Sequence, residues 1–290
     1  EICGGCYERG VSEMKSYLKL VNFEFNRSAK IFAILLGIIL IVQITGVIVL
    51  SKLYLNMANE KIYEELMPKA EFLSSFGQMS FLSVTRSVWF LGPIALCIAG
   101  VAFYIFLIWY RDWFGKNTFI YRLLMLPTTR LNVFYAKITN ILLMTIGFVA
   151  FQLILLQIET TVFKWMLPNE FRVDMNVKEI FSSMPELNML VPNSFLEGIL
   201  YYGTGFMVVS ILFTAILFER SFRWKGVFVG ILFSLVAIAV FISPLLLQEF
   251  VLNDFFYPLE LFVLEILMGV IVLATSIWMS GFLLRNKITV

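Results

Sequence analysis

The chain has 290 residues, 60% of them hydrophobic and 14% charged, with no histidine and a formal net charge of +2. Soluble domains carry about 45–50% apolar and about 25% charged residues, so this composition excludes an ordinary water-soluble globule and points to a chain that crosses a membrane several times. The small net charge argues against nucleic acid as a partner, and the lack of histidine excludes His-ligated metal and His-based acid–base catalysis.

The chain opens on Glu1, and Met14 begins a stretch, MKSYLKLVNFEFNR, that reads like a natural start. Glu8-Arg9-Gly10 is compatible with a purine-rich ribosome-binding site ahead of Met14, so residues 1–13 are expected to be translated leader and 14–290 a single transmembrane domain. Cys3 and Cys6 form one CxxC pair, a weak metal or redox signal without a second pair, and Cys97 sits in an apolar run. Residues 15–30 read as a short amphipathic helix with Leu18, Val21 and Phe25 on one face and Lys15 and Lys19 on another. It is expected either to lie at the membrane surface or to be a plain charged flank of the first span.

Six apolar runs follow, at about 31–53, 88–110, 138–162, 199–218, 226–247 and 259–284. Each approaches the roughly 20 helical residues that a bilayer core requires. Pro93 falls in the first turns of the second run, where a helix tolerates it. Trp89, Trp109, Tyr110, Trp113 and Trp165 lie at run ends, as interfacial aromatics do. The architecture expected is an all-α polytopic membrane protein. Fourteen Lys and Arg after Met14 fall in the tails and even-numbered connections, and seven fall in the other connections, which are acidic on balance. This bias places both termini in the cytoplasm. The connections 54–87 and 163–198 are expected to hold short surface helices, and 248–258, QEFVLNDFFYP, a tight or re-entrant turn.

Chemistry-bearing motifs are few. There is no G-x-x-x-x-G-K-[ST] phosphate loop and no Cys or carboxylate cluster with metal-ligand spacing, so no enzyme, cofactor or metal assignment follows. Gln43, Gln152, Gln157, Glu159, Glu260 and Glu265 lie in or near the apolar runs. Carboxylates at the bilayer centre cost about 2.5–3.5 kcal/mol on insertion scales, so they face protein, water or the interface. Glu159 reads as interfacial; Glu260 and Glu265 are either solvated or paired near the surface, or line a permeation path.

The stretch from Tyr110 to Lys137 stands apart. Arg111, Lys116, Arg122, Arg130 and Lys137 alternate with Phe119, Ile120, Leu123, Leu124, Met125 and Leu126. A solvated loop would not carry that much apolar surface; a membrane-surface segment or one docking in a partner's groove would. Asn117–Leu126 can form two to three helical turns, Pro127 ends or bends them, and Thr128 or Thr129 can cap the helix that follows.

Leu123-Leu124, Pro127, Thr128-Thr129-Arg130 and Lys137 resemble the cytoplasmic segment between the second and third spans of type-2 ABC exporter permeases. Asn117-Thr118 matches the family's Gly-Thr only loosely. The resemblance implies a coupling helix in which Asn117, Thr118, Arg122, Leu123, Leu124, Pro127 and Arg130 seat in a cleft of a separate cytoplasmic ABC ATPase. ATP and Mg would be bound by that subunit, with a second permease copy or paralogue completing the transporter in a bacterial cytoplasmic membrane. The alternatives are a surface helix that only anchors the loop, a scaffold or sensor that moves no solute, and an ion-coupled secondary transporter working through Glu260 and Glu265.

Overall fold

The computed structural model describes residues 2–113, 123, 125, 129–176, 179–180, 183–184, 194–252 and 255–287, with side chains from Met14 onward except at 251–252. Eight helices carry the described chain: α1 (Ile2–Asn59), α2 (Lys69–Phe76), α3 (Phe81–Thr85), α4 (Val88–Trp113), α5 (Arg130–Met166), α6 (Phe195–Phe222), α7 (Trp224–Leu247) and α8 (Pro258–Asn286). Short π-helical turns continue α1 at Glu60–Glu64 and α7 at Gln248–Leu252. The described strands are one parallel pair, β1 (Met79–Ser80) and β2 (Arg172–Val173). The protein is thus an all-α polytopic membrane protein, with six helices long and apolar enough to cross a bilayer, and all six expected runs fall inside them.

The chain divides into two compact units. The first comprises residues 1–27, 102–142 and 198–290, and the second 28–101 and 143–197, so α1, α4 and α5 each give a segment to both. Of the fourteen basic residues on the expected cytoplasmic side, all but Lys30 belong to the first unit, and the seven of the opposite group all belong to the second.

In the first unit α6 is central: 39% of its most apolar window is buried, against 17% for α7 and 11% for α8, whose remaining apolar surface is left for lipid or a partner. Two glycines set the α6–α7 approach. A Cβ on Gly226 would stand 2.0 Å from the Phe218 carbonyl oxygen, and one on Gly230 would stand 2.8 Å from that of Ala215. Only glycine lets the two backbones meet there, as small residues do at helix crossings in membranes. Met207, Ile211, Ala237 and Val272 form the core between α6, α7 and α8.

The second unit is built on an aromatic cluster. Phe72, Phe81, Phe163 and Phe171 are buried together with Val47, Phe90, Leu156 and Leu167. Phe72 meets Tyr54 and Phe171 edge-on, at 6.1 and 6.3 Å between ring centroids. The short helices expected in 54–87 appear as α2 and α3. The β1–β2 pair, with Gln78 Nε2 donating to the Glu170 carbonyl at 3.0 Å, ties that connection to the one after α5. Ser80, before α3, and Pro168, before a 3₁₀ turn at Asn169–Phe171, supply no side-chain cap.

Residues 15–30 are helical, but they are not a separate element. They continue into the first span within α1, whose 58 residues rise about 87 Å at 1.5 Å each. The buried stripe also differs from the expected one. Leu18 is 57% exposed, whereas Leu20, Glu24 and Ser28 are buried at i, i+4, i+8. A search for apolar spacings passes over a stripe centred on a glutamate; the ion cluster described next explains why it is buried.

A candidate functional site: a buried ion cluster at the root of the 114–129 connection

The cluster lies in the first unit and is assembled by α1, α4 and α5. Lys137, about two turns into α5, is wholly buried, and its ammonium has three acceptors: Glu24 Oε1 at 2.9 Å, Asp112 Oδ2 at 2.5 Å and the Ile108 carbonyl at 3.0 Å. An ammonium has three donors, and all three are used. Each carboxylate also takes a second cation. Arg111 donates to Glu24 Oε2 at 3.1 Å, and Arg27 donates to Asp112 Oδ1 at 2.8 Å.

Three cations and two carboxylates leave the group at +1. Aromatic faces spread that charge: Lys137 Nζ lies 5.2 Å from the Trp109 ring and the Arg111 guanidinium 5.9 Å from the Tyr104 ring. Trp109 in turn packs edge-on to Phe213 of α6 at 5.5 Å, and Phe134 of α5 meets the same ring at 5.7 Å. Tyr17 and Thr139 share a hydroxyl hydrogen bond of 2.6 Å. Buried ion pairs of this kind recover their desolvation cost only when geometry is good and every lone pair is met.

The cluster brackets the 114–129 connection. Asp112 stands at its entrance and Lys137 two turns past its exit. Further contacts of the first unit hold both flanks. The Arg220 guanidinium stacks over Tyr110 at 4.7 Å and Trp113 at 5.6 Å. Tyr110 O–H donates to Glu219 Oε2. Arg130 donates to the Leu284 carbonyl at 2.6 Å, at the end of α8. Leu123 is buried against Leu20, Val133 and Ala136, with Tyr17 and Val21 beside them.

Of the expected coupling residues, Leu123 and Arg130 are therefore placed in the first unit. Asn117, Thr118, Arg122, Leu124 and Pro127 lie outside the described residues, as do most of the expected 117–126 helix and Thr128. α5 starts at Arg130, directly after Thr129. Glu24 and Asp112 were missed by sequence reasoning. The available signal was their position: each is a carboxylate next to an apolar span with a basic neighbour, Arg27 at i+3 and Arg111 at i−1.

Glu260 and Glu265 sit on different faces of α8. Glu260 is exposed and caps α8, accepting from the Tyr257 backbone N–H at 3.2 Å. Glu265 is half-buried five residues on, about 140° around the helix at 100° per residue.

A second polar group lies in the second unit. Gln43 Nε2 donates to the Phe90 carbonyl at 3.0 Å, one turn before Pro93, and Gln152 Nε2 donates to Gln43 Oε1 at 3.2 Å. Val47 on α1 and Leu156 on α5, one turn further along each helix, are buried in the same cluster. Glu159 is completely buried and, among the described residues, neither carboxylate oxygen has a hydrogen-bond partner. Glu159, which reads as interfacial from its place near the end of a span, is enclosed by protein within the second unit. Ser51 Oγ and Gln152 Oε1 are likewise buried without partners among the described residues. Gln152 also lines an apolar cavity of about 180 Å³ with Ile39, Ile94, Cys97 and Phe148. Among the described residues no group of three acidic or cysteine side chains could hold a metal ion.

Comparison with known protein families, with curated proteins and with solved structures returns no match for this chain.

Proposed function

We propose that the chain is the membrane subunit of an ABC-type exporter in a bacterial cytoplasmic membrane, driven by a separate cytoplasmic ATPase and working with a second copy or a paralogue. The observation that carries the reading is the pinning of the 114–129 connection. Its flanks are tied to α1 through Glu24 and Arg27, to α6 through Arg220, and to α8 through Arg130, all within the first unit. A segment held this firmly at both roots would pass an applied displacement into the helices instead of absorbing it. The resemblance of Leu123-Leu124, Pro127 and Thr128-Thr129-Arg130 to the exporter permeases supplies the identity of the motor. The segregation of basic residues into the first unit supports cytoplasmic termini and a cytoplasmic connection. In this reading ATP and Mg bind to the partner, and closure of the ATPases rocks the 117–130 segment and reorients the spans.

The test is reconstitution with a cytoplasmic ABC ATPase, sought first in the adjacent reading frame. Arg122→Glu with Arg130→Glu should leave membrane insertion intact while ATP hydrolysis no longer drives flux. ATPase co-purification without flux from the unaltered chain would identify a scaffold, and neither would identify an ion-coupled carrier. Labelling of cysteines placed at 117–130 from outside sealed cells would overturn the reading.

A further inference from the structure

A groove of about 290 Å³ runs between α4, α6 and α7 in the first unit. Phe106, Leu212, Ile216, Ile231 and Leu235 line it. The close approach of α7 to α6 at Gly226 and Gly230 brings its flanking walls together. At the end toward the α6–α7 turn the lining becomes polar: Tyr110 and Glu219 close it, bonded to each other. The Glu219 charge is already met by Arg220 at 3.9 Å.

Beyond that foot the chain turns sharply at Arg223, whose φ of 54° is left-handed. Arg223 precedes α7 by one residue and stands one turn before Val227, the first groove residue of that helix. Arg223 and Lys225 are exposed, and among the described residues neither has an acidic partner. Lys287, at the end of α8, joins them, with its ammonium 5.7 Å from the Phe222 ring. Trp224, 85% exposed, is an aromatic of the kind that sits at headgroup level.

We propose that this is a binding site for an anionic glycerophospholipid, with one acyl chain in the groove and the phosphate on Arg223, Lys225 and Lys287. The apolar lining matches a hydrocarbon chain. The cations stand at the end where the headgroup would emerge. The one carboxylate nearby is neutralised within the protein, so it does not repel a phosphate. Basic residues at a membrane surface favour anionic lipid by a modest amount each; the groove converts that general attraction into a fixed site. The site does not depend on any ATPase, and it shares only its polar foot, Tyr110 and Glu219, with the contacts that hold the flank of the 114–129 connection.

The experiment is native mass spectrometry of the full chain released from mixed micelles of detergent with phosphatidylglycerol or phosphatidylcholine. The unaltered chain should retain one equivalent of phosphatidylglycerol and shed phosphatidylcholine. Arg223→Gln with Lys225→Gln should weaken retention roughly thirtyfold, and Arg223→Lys with Lys225→Arg should restore it. Ile231→Trp should displace the lipid by filling the groove with the basic rim intact. Melting temperatures close to the unaltered chain's certify each variant as folded. Equal retention of the two lipids, or undiminished phosphatidylglycerol in either the charge-removal or the groove-filling variant, overturns the proposal.

Discussion

Two buried polar regions of the same chain follow opposite rules. In the first unit, five charged side chains close on one another: Lys137 uses all three donors, and each carboxylate oxygen of Glu24 and Asp112 accepts from a cation. In the second unit, Glu159 is just as buried and has no hydrogen-bond partner among the described residues. A buried polar group without a partner is expensive and a fully paired ion cluster roughly breaks even. The comparison teaches that the first cluster is a joint, held by reciprocal contacts among three helices.

The sharpest break in that comparison is Lys137→Met. It leaves Glu24 and Asp112 buried with one arginine each, and the expected loss is about 3–5 kcal/mol, read as a collapse of melting temperature and yield in detergent. Survival with a near-native melting temperature would show that the cluster is not a joint. Glu24→Gln and Asp112→Asn should each cost less, about 2–3 kcal/mol, because Lys137 keeps two of its three acceptors; the double-mutant cycle with Lys137→Met should show strong coupling.

Glu159→Met should move the other way. Removing a buried carboxyl that has no hydrogen-bond partner among the described residues is expected to raise stability by about 1 kcal/mol or more, measured by thermal unfolding of the full chain at neutral pH. A fall instead would show that the carboxylate has a strong partner in the working protein. Arg130→Gln should cost about 1 kcal/mol, since its hydrogen bond to the Leu284 carbonyl is only part-buried. Glu260→Gln should cost the least, about 0.5 kcal/mol, the scale of a surface capping contact. Under the proposed exporter reading, intact flux in the pair Glu260→Gln and Glu265→Gln would remove those residues from a permeation path.

Much was legible in the chain before any tertiary contact was known. Six apolar runs of helical length declare themselves because a bilayer offers no partner for backbone groups, so each crossing must be a continuous helix. The 110–137 stretch stands out by its mixture of arginines and leucines, and Lys137 by its place at the mouth of a span. The basic bias is likewise a one-dimensional quantity.

What the tertiary structure alone decided is which charges meet. Glu24, Asp112 and Lys137 are 25 to 113 residues apart, and the basic neighbours of Glu24 and Asp112 mark the two carboxylates without showing that both meet Lys137. The same holds for the N-terminal helix, where a count of apolar spacings selects Leu18 and the fold buries Glu24 instead. Glu159 reads as interfacial by its position along the span, and only the packing of the second unit shows that its side chain is enclosed. Periodicity and composition act along one helix; ion pairing and desolvation depend on what a second helix presents, and that is settled only when the helices pack.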